Sequence, residues 1–455
     1  MKNERKLYEL CPSQNVIILQ TKYTLWPKVV NIVFSATKTE NLDFDLLDKA
    51  FNLVVKRNDC LRIRFVKQNK QLMQYFLEED EVIFDDIAHL TFNTKEEQEK
   101  FINKVRSKAI KYMKGEQIIP YFIKTYDGKS MVLFKVNHIV LDIYGIDFIF
   151  NDLFSVYDAL KNNTELPEKP GKYEDVIIED LKRFHNEYSY NECKEFFENY
   201  FNTHEEPYYA GVAADRDPIW VKQVKKNKRA QKMFFINNDT IGYERIVKPE
   251  VVEPVLELCK ELNLSPTTVF FYACSLCNAI ANNYTTTMLP LELCNCRGTS
   301  LEKNCAGCKV QSVGSFTEVD YDKSFIDNLH LFAETQNKLY RRYYFPDQDF
   351  EMLIHKTYKS SMLETYYGIS FSFVPYIKRK DVEYCIYSNG KGALPCYLVS
   401  LFDVETNEIR MGYDVQSKIT KEEDVDRFHA NYISILKQIV ANPHQLAKDF
   451  VLEEK

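Results

Sequence analysis

An α/β (α+β) fold in two similar-sized lobes is predicted by three observations on this 455-residue sequence. Strand-length β-branched runs alternate with segments of helical period along both halves. One stretch, residues 164–172 (TELPEKPGK), gathers prolines and a glycine among charges, the composition of a linker. An apolar fraction of 45% supplies core for a chain too long to be one small domain. The expected division is residues 1–170 and residues 171–455.

The elements follow in order. Residues 29–35 (VVNIVFS) read as a strand, and Phe44, Leu47, Ala50, Phe51 and Val54 then recur at helical spacing. At residues 61–66, Leu61, Ile63 and Phe65 alternate with Arg62 and Arg64, the period of a half-buried strand with its arginines turned outward. A helix is expected over residues 95–113, and a hairpin over residues 120–125 and 130–140, joined at Asp127-Gly128. Ile149, Phe150, Leu153, Phe154, Tyr157 and Leu160 then share one face of a helix beginning near Ile146. Past the linker come a charged helix, a strand at 232–235, helices at 249–262 and 268–281, a strand at 288–293 and a helix at 324–340. Strands at 368–374, 397–404 and 408–413 precede a last helix at 421–440.

A net charge of −7 argues against a polyanionic partner, so nucleic acid is not expected. The most apolar stretch, residues 268–281, is shorter than the roughly 20 residues of a membrane span and reads as a buried helix. The first residues (MKNERKLYELCPSQ) lack an apolar signal-peptide core, so a cytoplasmic location is expected. The 12 cysteines accordingly read as reduced thiols. Cys294, Cys296, Cys305 and Cys308 bring four of them close in sequence, a set that can be weighed for zinc, although its spacing is unspecific and no metal is assigned.

No GxGxxG, P-loop, GxSxG or HExxH pattern occurs. Ser300 and Lys303 form a Ser-Lys spacing that is common by chance in a polar loop. His138 differs from the other histidines because it closes an apolar strand just before a turn carrying Asp142 and Gly145. A histidine there can present its ring to a cleft while the carboxylate braces the turn. The same pair also fits a hydrogen-bonded core histidine and a helix-capping aspartate.

Several segments together resemble the condensation domains of nonribosomal peptide synthetases. The opening YELCPSQ is similar to the family's start. DFDLLDKAFNLVVKRNDCLRIRF follows its R-H-E-x-L-R-x-x-F segment, with Arg57, Leu61, Arg62 and Phe65 on the matching positions. The family's H-H-x-x-x-D-G signature corresponds to Asn137, His138, Asp142 and Ile143. GKYEDVIIED, NCRGTSLEKNCAGCKVQSVGSF, FPDQDFEMLI and YYGISFSFVPY resemble later family segments in order and spacing. The sequence departs from the pattern where Asn137 replaces a histidine, and where Ile143 replaces a glycine while Gly145 lies two residues on.

The resemblance implies two chloramphenicol-acetyltransferase-like lobes forming a pseudo-dimer with a tunnel between them. It implies that His138 serves an amine attacking an acyl thioester, either by taking its proton or by positioning it. Asp142 would be structural and paired with an arginine, for which Arg62 is the expected partner. Ile143 would alter the channel's width, and Ser372 is a further channel residue. No permanently bound cofactor is expected. The acyl donor would ride on phosphopantetheine or coenzyme A, and a carrier protein in trans would bring a substrate. The cationic run at residues 222–232 is a docking surface for such a carrier or a solvated loop. A monomer is expected, since the pseudo-dimer needs no second copy of the chain. An ester-forming acyltransferase and a non-catalytic recruiting domain are the alternatives.

Overall fold

The computed structural model describes residues 5–24, 26–233, 238–283, 285–376 and 381–453. By contacts the chain forms two compact units. The first comprises Met1–Glu187, Asn295–Gln311 and Lys378–Gly390, and the second Tyr188–Cys294, Ser312–Ile377 and Lys391–Lys455. The stretch at residues 164–172 carries neither helix nor strand, and the first unit continues past it to Glu187. Two segments distant in sequence also join that unit, so its make-up differs from a single cut at residue 170.

The first unit is built on a five-stranded sheet with spatial order Val382–Tyr387, Asn31–Lys38, Ser130–Asn137, Ile118–Lys124 and Ala88–Thr91. Neighbours are antiparallel except the last pair. All eight residues of Ser130–Asn137 are buried, as its near-continuous apolar run requires. The helices Phe44–Arg57 and Ile143–Asn162 supply the rings that pack there: Phe51 lies 5.5 Å from Phe134, and Phe150 stacks on Phe134 at 4.5 Å. Phe134→Ala would remove both contacts and leave a cavity, costing about 3–5 kcal/mol. Lys135 is buried in the same strand because its ammonium donates to the carbonyls of Val105 (2.9 Å) and Lys108 (2.5 Å). These bonds fall at the end of the Lys95–Ser107 helix, which stops short of the expected residue 113.

The turn after Phe44–Arg57 overturns the strand expected from residue 61. Residues Asp59–Arg62 form a 3₁₀ turn, and the strand is Ile63–Gln68. Both arginines expected to face outward are buried, with Arg62 at 7% and Arg64 at 9% exposure. Arg62 is held inside because it donates to the carbonyls of Val55 (2.7 Å), Lys56 (2.6 Å) and Leu77 (2.9 Å), satisfying the helix's C-terminal end.

The second unit contains most of a six-stranded sheet of order Val310–Gly314, Leu291–Asn295, Ser370–Tyr376, Cys396–Asp403, Ile409–Gln416 and Thr240–Val247. Its core helix, Pro266–Ala281, is capped by Ser265 and buried from Thr268 to Ile280. Phe271 packs on Phe371 at 5.0 Å. The strand expected at 288–293 is divided into Thr287–Met288 and Leu291–Asn295 around Pro290, which has no N–H to donate. Of the strand expected at 232–235, Gln231–Lys232 is observed, and residues 234–235 lie outside the described residues. Among the described residues no single helix is long and apolar enough to cross a membrane; Pro249–Glu261 with Pro266–Ala281 meets that test only as a pair bent by 115°.

Candidate active site

His138 is the first residue beyond the Ser130–Asn137 strand. Its N–H still reaches the Val30 carbonyl at 2.7 Å, but the chain then turns, with Val140 N–H donating to the Asn137 carbonyl at 3.1 Å. The buried Asn137 side chain fixes that turn: its Oδ1 accepts from Ile139 N–H at 3.2 Å and its Nδ2 donates to the Ile110 carbonyl at 3.5 Å. A strand running on to residue 140 is therefore excluded by Asn137 itself.

The His138 ring is half-buried. Burial pushes its imidazole below the ordinary value of 6.5, and the nearby Asp142 carboxylate and the carbonyls of His138 and Leu141 do not fully offset this. The shift favours the neutral ring, whose unprotonated nitrogen has a lone pair for a proton. Cys308 Sγ lies 3.9 Å from His138 Nδ1, and burial holds that thiol protonated.

Asp142 caps the Ile143–Asn162 helix, with Oδ1 accepting from Gly145 N–H at 2.7 Å. The same carboxylate meets Arg297 in a two-pronged pair, Nη1 to Oδ2 at 2.8 Å and Nη2 to Oδ1 at 3.1 Å, and Oδ2 also accepts from Lys309 N–H at 2.7 Å. Burial pushes its carboxyl up, and these donors outweigh burial and hold it below the ordinary carboxylate range. Arg297 further donates to the Gly307 carbonyl at 2.9 Å and sits 4.4 Å from the Tyr144 ring centre. The residue bracing the turn is thus Arg297, and the expected pairing of Asp142 with Arg62 is corrected: Arg62 commits its donors to the carbonyls at the end of the Phe44–Arg57 helix and to Leu77.

Gly145, two residues after Ile143, is the position in this turn with no room for a side chain. Asp142 N–H donates to the Gly307 carbonyl at 3.2 Å, which draws Gly307 so close that a Cβ on Gly145 would lie 2.6 Å from its oxygen. A Cβ on Gly307 would lie 2.2 Å from the Tyr173 ring. Tyr173 donates its hydroxyl to the Cys308 carbonyl at 2.7 Å, so two glycines and a tyrosine pack the loop against the turn. Ile143, the first helical residue, is half-buried and needs no glycine's freedom.

Ser372 belongs to the second unit, where its hydroxyl donates to the Leu293 carbonyl at 3.1 Å and accepts from Tyr397 at 3.2 Å. All twelve cysteines are thiols, and Cys294, Cys296, Cys305 and Cys308 do not converge. Among the described residues, the metal-capable side chains that do converge are Asp45, Asp48 and His89 at the surface. Ser300 and Lys303 are exposed on a short helix. Sequence reasoning missed Arg297 as a site residue, although it lies in the quoted NCRGTS segment.

The family model for the Condensation domain matches residues 4–454. The chain belongs to the condensation-domain family, whose members form amide bonds from carrier-bound or coenzyme A-bound acyl groups. It is 20% identical over 417 residues to one of the plipastatin synthase proteins of Bacillus subtilis, a match that covers 90% of this chain and 15% of that protein. The chain therefore spans under a sixth of that relative's length. The fold matches that of a variant starter condensation domain of rhizomide synthetase in complex with C8-CoA (TM-score 0.79, 13% identity, 98% of each chain). It also matches the first condensation domain of the calcium-dependent antibiotic synthetase in complex with a substrate analogue (TM-score 0.79, 13% identity, 99% of this chain and 100% of that one).

Proposed function

We propose that this chain joins an acyl group, held as a thioester on phosphopantetheine or coenzyme A, to an amine, with His138 as the catalytic residue. The observation that carries this reading is the half-buried His138 imidazole at a turn locked by the buried Asp142–Arg297 pair. The amine nitrogen attacks the thioester carbon, the C–N bond forms and the C–S bond breaks. His138 takes the proton shed by nitrogen and returns it to the leaving thiolate. Asp142 stays ionised against Arg297 and acts through the turn it holds. The donor arrives on a carrier protein supplied in trans or as free acyl-coenzyme A, and the protein works as a cytoplasmic monomer. The C8-CoA carried by the rhizomide synthetase domain supports a coenzyme A-linked donor.

Mass analysis of the protein with a panel of acyl-coenzyme A and acyl-carrier thioesters and free amines tests this. An amide product that falls about 10²–10⁴-fold in His138→Ala is expected. An ester from an alcohol acceptor would move the reading to O-acyl transfer. Equal product from wild type and variant would remove His138 from the chemistry, and product from neither would favour a recruiting domain.

A further inference from the structure

Lys309 meets the site through its backbone and the protein interior through its side chain. The N–H donates to Asp142 Oδ2 at 2.7 Å, while Nζ reaches Asp180 Oδ1 and Oδ2 at 2.8 and 2.7 Å and lies 3.3 Å from Glu302. The side chains of Lys309, Asp180 and Glu302 are only 2%, 6% and 5% exposed.

Each carboxylate fixes a different piece of the surroundings. Asp180 belongs to the Tyr173–Phe184 helix, whose first two N–H groups donate to Asp59 at 2.8 and 3.0 Å. Glu302 accepts from the N–H groups of Gly298 and Thr299 at 2.9 and 2.8 Å, directly after Arg297. One ammonium therefore ties both arms of the Asn295–Gln311 loop, the arm with Arg297 and the arm with Lys309, to a single helix.

A buried ion pair seldom adds net stability over apolar side chains of similar volume, because desolvating both charges offsets their attraction. Position is what this arrangement supplies. We propose that Lys309, gripped by Asp180 and Glu302, is a positioning residue for acyl transfer: it fixes the 307–309 backbone against which Asp142 and the His138 ring are aligned. The proposal rests on the reading of His138 as the catalytic residue, but its test does not need a substrate.

Among the described residues, the charged and titratable groups that act on or touch the His138 ring are Asp142 on its own turn, paired with Arg297, and Cys308 on the loop. With the histidine ring carbons labelled with carbon-13, the His138 resonance is assigned by its loss in His138→Gln and titrated by NMR. Lys309→Met and Asp180→Asn loosen the loop and admit water to the ring. Each is expected to raise the His138 midpoint toward 6.5 by about half a unit, roughly threefold in proton affinity. Lys309→Arg should keep the wild-type midpoint, and buried His429 in the second unit should not move in any variant. A His138 midpoint unchanged in both neutral variants, with only thermal stability reduced, would overturn the proposal. Should Lys309→Met not fold, Asp180→Asn, which preserves shape and an acceptor oxygen, decides alone. Shifted midpoints in a protein inactive on every thioester would sink the acyl-transfer reading and leave the positioning role standing.

Discussion

Asp142 in the first unit and Glu292 in the second are both buried carboxylates, and they meet different fates. In the first unit Asp142 faces a guanidinium and is held ionised, below its ordinary range. In the second unit Glu292 is just as buried, at 1% exposure, but accepts only from the neutral Gln336 amide at 2.8 Å and the Tyr340 hydroxyl. Burial pushes its carboxyl up to about 7. Asp347 and Glu351, also in the second unit, bond to the hydroxyls of Ser312 and Tyr367 and are likewise raised to about 7. At Glu292, Asp347 and Glu351 the neutral donors offset too little of the desolvation, whereas Asp142 has a two-pronged guanidinium and two backbone N–H donors. A single cation is not enough, since Asp180 is raised by burial despite the Lys309 ammonium. The Asp142 carboxylate beside His138 thus stays charged at neutral pH, while Glu292, Asp347 and Glu351 are raised to about 7.

Arg297→Met should have the largest effect, because it leaves the Asp142 carboxylate buried without a cation. A loss of about 3–5 kcal/mol in urea unfolding at neutral pH is expected. The Asp142 carboxyl, depressed in the wild type, should rise above its ordinary range in the variant. In the wild type, the depressed value means that this pair's stability is present above the unfolded carboxyl range and is lost as pH falls through the folded value. A cost below about 1 kcal/mol would place the pair with exposed ion pairs and erase the contrast with Glu292.

Glu292 comes next, with the opposite sign. Its folded value lies above the unfolded one, so the native state binds the extra proton and stability falls as pH rises from about 4.5 to about 7, then levels. The shift corresponds to about 3 kcal/mol. Glu292→Gln should remove its share of that slope, leaving the part due to Asp347 and Glu351, and recover stability of this order at about pH 8, measured by urea midpoints at intervals across the range. Parallel slopes in wild type and variant would show that Glu292 is not the titrating group.

Much of this contrast could not be read from sequence. Periodicity located the Phe44–Arg57 helix, whose apolar face repeats at helical spacing, and a largely apolar run located most of Pro266–Ala281; the caps Asp43 and Ser265 are visible only in the structure. His138 and Asp142 were legible because they fall together at a strand, turn and helix junction. Arg297 was not, since 155 residues separate it from Asp142 and no local pattern distinguishes a buried guanidinium from an exposed one. Arg62 misled for a related reason. Alternation placed it outside a strand, whereas the free carbonyls at a preceding helix end drew it inward, a demand set by the backbone. The short strands Ala88–Thr91 and Val382–Tyr387 have weak apolar patterns and exist by pairing with longer neighbours.

A last comparison separates capping from charge. Both Asp142 and Ser265 begin helices, accepting from Gly145 N–H at 2.7 Å and Thr268 N–H at 3.1 Å respectively. Ser265→Ala removes a neutral cap and should cost about 1 kcal/mol. Asp142→Asn keeps an oxygen for Gly145 N–H and so keeps most of the cap, but it strips the charge facing Arg297. It should cost clearly more than Ser265→Ala, by the penalty for a buried guanidinium left unpaired. Equal costs in paired urea titrations would mean that Asp142 acts in the turn as a helix cap, with the charge of Arg297 contributing little.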